Sequence, residues 1–360
     1  MIKVIADQFI PFLRGRLEGI ADIEYIHPDD FTAERVKDAD ALLIRTRTKC
    51  NESLLKGSRA QFIATATIGM DQFDLPWCAA NGIVTRNSPG CNAPGVAQYV
   101  WSSILHLGLN PADLTVGVVG HGHVGTIVAE WGRLLGARVL LNDPPKSEKG
   151  KVEGEKEQYL SLEEMLPQCD VVTLHTPLTR VGEYPTYHLI SEREVRLMKP
   201  GALLINAARG PVLDSAAVAG YCSEAIAEAP RIRLVTDTWE GEPHNLHPDI
   251  LRLSEIATPH IAGYSLQGKQ RATRMILESL GAHFGLEGVD VSDLPAPYVP
   301  FAEKSASRVT DANFSSHLRQ SIYDSYDPLS ETARLKADPA GFEAWRDSYV
   351  YRPEPPILLE

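Results

Sequence analysis

The sequence is short of everything that would take it out of the ordinary globular class. Its 360 residues include only five cysteines, Cys50, Cys78, Cys91, Cys169 and Cys222, an odd number with no C-x-x-C spacing. That argues against a disulfide framework and against a zinc site. No run of about eighteen apolar residues occurs, so no membrane span is expected. The opening MIKVIADQFIPFLRGR lacks the basic region and long apolar stretch of a signal peptide. Positive charge is in deficit as well. A formal net charge of −12 disfavours a nonspecific polyanion binder, and nucleic acid is not an expected partner. There is no internal repeat and no low-complexity tract. A metal-free protein of the reducing cytoplasm fits these absences.

What is present is an ordinary balance, 44% hydrophobic and 23% charged residues, in a chain long enough for two or three domains. Short apolar runs bounded by turn residues recur early: KVIAD, IEYIHP, ALLIRT, QFIATATIG and GIVTRNSP. Separated by helical stretches, they predict an open parallel α/β domain. A long helix-like segment, 95–109, leads to a second series: LTVGVVG, ARVLLND, DVVTLHTP, ALLINAARG, IRLVTDTW and EIATPH. The helical spacing after HIAGYS is expected to return the chain to the first domain, which makes that domain discontinuous. The proline-rich LPAPYVPFAEKS, 294–305, reads as a linker. Beyond it lies a segment of mixed aromatics and charges, suited to burying an apolar face on a partner.

In TVGVVGHGHVGT, Gly120, Gly122 and Gly125 form G-x-G-x-x-G directly after an apolar strand and at the start of a helix, with His123 and Val124 inside the motif. Such glycines allow the tight turn, the approach of a pyrophosphate and close helix–strand packing. Asp143 ends the next apolar run about twenty residues on, where a carboxylate can accept the ribose hydroxyls. It would repel a ribose 2′-phosphate, and no arginine directly follows it, although Lys146 stands nearby. NAD is therefore expected over NADP. His121 and His123 read as loop residues, not catalysts.

A second constellation follows three further predicted strands: NAARG at 206–210, DTWEGEP at 237–243, and His260 in TPHIAGYS. Oxidation of a 2-hydroxy acid needs a base for the hydroxyl proton and a cation for the carboxylate and nascent carbonyl. Histidine suits the first role and the planar fork of arginine the second. A carboxylate beside the histidine would fix its tautomer and favour the imidazolium. His260, Arg209 and Glu242 are the candidates. Taken singly, each reads as a strand-end or turn residue, and only the joint pattern carries weight.

The order Arg209, Glu242, His260 behind that glycine loop resembles the D-isomer-specific 2-hydroxyacid dehydrogenase family over about residues 1–290. TATIGMDQFD, SPGCNAPGVAQYV, DPPKSEKG, HTPLT, WEGEP and HIAGYS, with the linker and tail, resemble a branch acting on a small phosphorylated 2-hydroxy acid. The resemblance implies a Rossmann-type doubly wound NAD domain, 94–258, inserted in a discontinuous flavodoxin-like substrate domain, 1–93 and 259–290. It also implies a small C-terminal α+β dimerisation domain, 291–360, and hence a homodimer. Arg209, Glu242 and His260 become catalytic. Cofactor contacts fall at Asp143, Thr176, Ala207, Ala208, Arg209, Asp237 and Gly263, and substrate contacts at Thr46, Thr67 and Tyr264.

A phosphate on the substrate requires positive charge, and IRTRTKCN supplies Arg45, Arg47 and Lys49. Arg45 and Lys49 are taken as phosphate contacts, against the alternative of a solvated basic loop. Tyr264 is a phenol suited to a longer, phosphorylated substrate. Two other functions stay open at this point: a sister enzyme acting on phosphoglycerate, hydroxypyruvate or another 2-hydroxy acid, and a non-catalytic NAD-sensing scaffold.

Overall fold

Each of the eleven apolar runs contains a strand, and every strand pairing is parallel. The computed structural model describes residues 1–153, 157–223, 231–301 and 313–358. Residues 302–305 of the proline-rich stretch lie outside them. The chain divides into two units, Met1–Asn92 with Ser265–Tyr298, and Ala93–Tyr264 with Val299–Glu360.

The first unit holds β1 (Lys3–Asp7), β2 (Asp22–Ile26), β3 (Ala41–Ile44), β4 (Phe62–Thr65) and β5 (Val84–Arg86) in the order β2-β1-β3-β4-β5. This is the flavodoxin-like order of a doubly wound sheet. Strands β3 and β4 are buried at every residue, as continuous apolar runs should be when helices cover both faces. The helix Leu266–Phe284 returns to this unit. It lays Ala272, Ile276, Leu277 and Leu280 into the cluster that includes Val4, Leu43 and Phe62, the apolar stripe of a 3.6-residue period.

The second unit holds β6 (Thr115–Val119), β7 (Arg138–Asn142), β8 (Val171–Leu174), β9 (Ala202–Asn206), β10 (Ile232–Thr236) and β11 (Ser254–Ala257), in the order β11-β10-β9-β8-β6-β7. The winding reverses between β6 and β8, and the crevice at such a switch point is where dinucleotides bind. The glycine loop follows β6 directly. The helix Ala93–His106 is buried from Ala93 to Leu105, so it has no solvent face, and its polar Gln98, Ser102 and Ser103 are hydrogen-bonded inside. Trp101 Nε1 ties it to Val128 O of the helix His123–Leu134 at 3.1 Å.

The tail does not stand as a unit of its own. Its described part holds three α-helices, Phe314–Ser325, Leu329–Ala337 and Phe342–Asp347, and no strand, where a small α+β domain is expected. The reason is visible in the burial of Phe314, Leu318 and Ile322 with Ser316 and Gln320 exposed between them: a strand would put all five on one face, and only a helix separates them. Strand β11 is a sheet edge, and the tail covers it. Thr332 Oγ1 accepts from Ala257 N at 3.0 Å, and Lys336 Nζ donates to Ser254 O at 2.6 Å. Unpaired edge groups are thereby satisfied. The second crossing between units falls after Tyr264 instead of at 258/259, because the turn carrying His260 is tied to β10 and to the tail, as described below.

All five cysteines are free, and among the described residues no helix is long and apolar enough to cross a membrane. Among the same residues no group of three or more His, Cys, Asp or Glu could hold a metal ion. Thr332→Val removes the acceptor of Ala257 N while keeping side-chain volume. We expect a loss of about 1–3 kcal/mol, the usual cost of a buried donor left unsatisfied. It should appear as a lower denaturation midpoint, and an unchanged midpoint would deny the tail this role.

Candidate active site

The site begins at the glycine loop. A Cβ at Gly120, whose φ is +89°, would lie 2.8 Å from the carbonyl carbon and oxygen of His175. One at Gly125 would lie 2.0 Å from Gly120 O, so no side chain fits at either. At Gly122 a Cβ would meet nothing within 4 Å, and Gly122 and His123 are exposed. The loop is closed by protein on one side and open on the other, as a backbone cradle for a pyrophosphate must be.

Asp143 follows β7 and serves two local functions. Its Oδ2 accepts from His121 N at 2.8 Å and its Oδ1 from Lys146 N at 3.1 Å. A carboxylate has about four lone-pair sites, so both ribose hydroxyls can still be accepted. Lys146 Nζ is bound to His121 O at 2.6 Å. His121 is buried, its Nδ1 lies 2.9 Å from Tyr159 Oη, and burial pushes its pKa down. It is a loop residue.

After β8, Thr176 Oγ1 is buried without a hydrogen-bond partner, and so is His175 Nδ1. Burial pushes the His175 pKa down to about 3, so this imidazole stays neutral and is no proton shuttle. A lone buried hydroxyl beside the glycine loop is an orphan that a bound cofactor can satisfy. The cradle, Asp143 and Thr176 together fit NAD.

After β9, Asn206 shapes the next turn: its Oδ1 accepts from Ala208 N and its Nδ2 donates to Arg209 O, both at 3.2 Å. Ala207 and Ala208 present backbone here. Arg209 donates Nη1 to Ala208 O at 2.9 Å, and among the described residues no carboxylate pairs with its guanidinium. A Cβ at Gly210 would lie 2.0 Å from Trp239 C and O. Glycine therefore lets the Arg209 turn close onto the loop after β10.

Asp237, at the end of β10, is 1% exposed and organises the turn that carries His260. Its Oδ1 accepts from Thr258 Oγ1 at 2.7 Å and from Ile261 N at 2.8 Å, and its Oδ2 from Ala262 N at 3.0 Å. Its backbone carbonyl accepts from His260 N at 2.8 Å. Burial pushes the Asp237 carboxyl up, and His260, Thr258 and the two N–H groups offset only part of that. Within this turn His260 sits at φ +56°, a left-handed conformation that costs a side-chain-bearing residue roughly 1–2 kcal/mol. Such strain persists where neighbours over-determine it, and here four hydrogen bonds to Asp237 do so.

The strained turn brings His260 Nδ1 to 2.5 Å from Glu242 Oε1. Glu242 is held in turn by Trp239 N, which donates to Oε2 at 2.9 Å, while Trp239 Nε1 donates to Thr258 O at 2.8 Å. Burial raises the Glu242 carboxyl. His260, the Trp239 N–H and Arg346 outweigh burial and hold it below the ordinary carboxylate value. Glu242 is therefore ionised and orients the imidazole, which leaves Nε2 free of this pairing.

The remaining candidates are distributed as follows. Gly263 lies in the turn after His260. Tyr264 Oη accepts from Arg346 Nη2 at 3.2 Å, and its ring packs edge-on near Tyr349 and Tyr351. In the first unit, Arg45 and Thr46 follow β3 and Thr67 follows β4, where Thr67 Oγ1 lies 2.7 Å from Thr65 Oγ1. Arg45 is close enough to Asp7 to lower its pKa, although burial prevails and leaves it raised. Lys49 lines a surface hollow with Arg47, Phe31 and Thr32.

Sequence reasoning missed Arg352. This tail residue is 6% exposed. Its guanidinium donates to Ile261 O at 2.9 Å, to Gly95 O at 3.0 Å and to Ala262 O, and its Nε donates to Gln98 Oε1 at 3.0 Å. It lies 4.1 Å from the centre of the Tyr326 ring. The turn that carries His260 is thus held at its N–H groups by Asp237 and at its carbonyls by Arg352. No spacing in the sequence connects position 352 with position 261.

The lowered Glu242 pKa has a sign for stability. The folded value lies below the unfolded one, so the stabilisation is fully present above the ordinary value of 4.5 and is lost as pH falls through the lower folded value. Relative to Glu242→Gln, the wild type should lose stability over that window and be more stable above it. A stability difference independent of pH would contradict the pairing.

Comparison with known proteins agrees with this geometry. The family described as D-isomer specific 2-hydroxyacid dehydrogenase, NAD binding domain, matches residues 92–262. The erythronate-4-phosphate dehydrogenase of Bacteroides fragilis is 41% identical over 98% of this chain and 97% of its own. That of Escherichia coli is 36% identical over 98% and 92%. Among solved structures, D-lactate dehydrogenase from Aquifex aeolicus, complexed with NAD and lactic acid, aligns with a TM-score of 0.64 at 27% identity, covering 79% of this chain and 95% of that one. The NAD+-bound 3-phosphoglycerate dehydrogenase of Entamoeba histolytica shares the fold, with a TM-score of 0.63 at 23% identity over 83% and 99%. With its NAD cradle and its histidine–glutamate pair, the chain belongs to the erythronate-4-phosphate dehydrogenase family of NAD-dependent 2-hydroxyacid oxidoreductases.

Proposed function

We propose that the protein oxidises 4-phospho-D-erythronate at C2 to 2-oxo-3-hydroxy-4-phosphobutanoate, a step of pyridoxal 5′-phosphate biosynthesis. The observation that carries this reading is the 2.5 Å pair of Glu242 and His260, together with a guanidinium at Arg209 that no carboxylate neutralises among the described residues. The family membership supplies the substrate name.

NAD, when bound in the cradle of Gly120, Gly122 and Gly125, supplies the acceptor for the hydride that leaves C2. The chain's own residues do the rest. His260 Nε2 takes the C2 hydroxyl proton, and the charge that appears on its ring is stabilised through Nδ1 by Glu242. Arg209 pairs with the substrate carboxylate and with the oxygen that becomes the carbonyl. Asp143 and Thr176 are proposed cofactor contacts, with the backbone of Ala207, Ala208 and Gly263 and the loop residues His123 and Val124. Asp237 acts on the cofactor side by fixing the 260–263 turn. Thr46, Thr67, Tyr264, Arg45 and Lys49 are proposed substrate contacts.

The protein is further proposed to be a cytoplasmic homodimer that uses its tail. Free cysteines throughout support the reducing compartment. Exposed Tyr323, Leu329 and Val350 on the tail supply apolar surface for a second copy.

The test is turnover of 4-phospho-D-erythronate set against D-3-phosphoglycerate, read as formation of the 2-oxo product, with a second 2-oxo acid present to reoxidise NADH. The four-carbon substrate should be strongly preferred, and His260→Gln should lower turnover by roughly 10²–10⁴-fold, the range for a lost general base, with NAD affinity retained. Preference for phosphoglycerate would indicate a sister enzyme. Absence of turnover on any 2-hydroxy acid would indicate a scaffold.

A further inference from the structure

Two arginines of the tail reach the catalytic turn, and they differ in how their nitrogens are used. Arg352 gives its donors to three backbone carbonyls and a glutamine, which makes it a structural clamp. Arg346, in the helix Phe342–Asp347, is different. Its Nη2 donates to Tyr264 Oη at 3.2 Å, and its Nε is buried with no partner. Among the described residues no carboxylate forms an ion pair with it. Its guanidinium carbon lies 5.9 Å from the Tyr264 ring centre and 5.9 Å from that of Phe342, so aromatic faces flank the charge without neutralising it. Burial disfavours that charge, but Tyr264, with Glu242 and Asp237 at longer range, outweighs burial and keeps the group protonated.

Arg346 is half-buried, its Nε is enclosed without an acceptor, and desolvating part of a cation without an acidic partner is costly unless a ligand supplies the anion. The proposed substrate is anionic at both ends. Arg209, at the end of β9, answers to the carboxylate next to the reacting carbon, and a second cation is needed for the phosphate. Tyr264 lies four residues beyond His260 and holds the second cation in place by accepting from it. A guanidinium presents its donors in a planar fork that matches two oxygens of one phosphate.

We propose that Arg346, braced by Tyr264, binds the phosphate end of the substrate, so that the C-terminal tail contributes a specificity-determining residue to the site of its own chain. This rests on the reaction proposed above. The guanidinium donors that Tyr264 leaves free then have their acceptor in the bound phosphate, and Tyr264 acts on the substrate through Arg346 as well as directly. The tail has a role in recognition that is separate from any role in assembly.

The experiment uses the full-length protein at saturating NAD. We measure kcat/KM for 4-phospho-D-erythronate and for unphosphorylated D-erythronate in the wild type, Arg346→Gln, Arg346→Lys and Arg45→Gln. Arg346→Gln should lower kcat/KM for the phosphorylated substrate on the order of 10²-fold, the scale of a truncated buried charge pair. The slow reaction of D-erythronate should stay within about threefold of wild type. Arg346→Lys should recover part of the loss, because it keeps the charge but not the fork, and inhibition by inorganic phosphate should weaken in parallel. Equal losses on both substrates would overturn the proposal, since they would mean that Arg346 acts through Glu242 and His260. Unchanged discrimination in Arg346→Gln, with the loss found in Arg45→Gln instead, would also overturn it. Should the wild type form no NADH from 4-phospho-D-erythronate, the reaction itself is wrong. The subsite is then read from thermal stabilisation by inorganic phosphate: its loss in Arg346→Gln supports the proposal and its retention contradicts it.

Discussion

The buried carboxylate of Asp237 is the constraint on which the pairing of His260 with Glu242 depends. A carboxylate removed from water raises its own pKa and costs free energy unless donors surround it. Here the donors are the N–H groups of the very turn that carries His260. Burial of Asp237 and the left-handed backbone at His260 are two unfavourable arrangements that make sense only together. One supplies a rigid set of acceptors, and the other brings the imidazole round to meet Glu242. Neither depends on substrate, so the histidine is oriented before anything binds.

The same turn explains why the tail packs within the nucleotide-binding unit. Asp237 satisfies the turn's N–H groups, but its carbonyls at Ile261 and Ala262 point the other way, and burying them requires a donor. Arg352 is that donor. Its planar fork serves both carbonyls and the helix carbonyl of Gly95 while its Nε reaches Gln98, four acceptors where a lysine has three donors. With Thr332 and Lys336 closing the edge of β11, the C-terminal segment completes a sheet edge and an active-site loop that the nucleotide-binding unit leaves open.

Much of this was legible in the sequence, and the unread part has a common cause. Parallel strands buried on both faces are continuous apolar runs, so β3, β8 and β9 announce themselves. Gly120 and Gly125 are dictated by contacts within a few residues or one strand away, and motif spacing captures that. Arg209, Glu242 and His260 follow adjacent parallel strands, and chain order therefore reproduces spatial order. The resemblance singles out Asp237, but not its hold on the turn, because hydrogen bonds to the 261 and 262 amides leave no periodic trace. Arg346 and Arg352 were illegible for a stronger reason. Their partners on the turn that carries His260 lie more than eighty residues upstream, and a lone arginine in a mixed helical tail has the local pattern of a solvated surface. The first of the tail's helices, by contrast, was there to be read in the spacing of Phe314, Leu318 and Ile322 with polar Ser316 and Gln320 between them.

If the Asp237-held turn aims His260 as described, the neutral imidazole carries its proton on Nδ1, directed at Glu242, and leaves Nε2 free to accept from the substrate. Nitrogen-15 NMR of the histidine side chains, with His260 assigned through His260→Gln, reads that tautomer directly. The account predicts an Nδ1-protonated ring in the wild type and loss of that preference in Glu242→Gln. An Nε2-protonated ring in the wild type, or a tautomer indifferent to the Glu242 substitution, would contradict it.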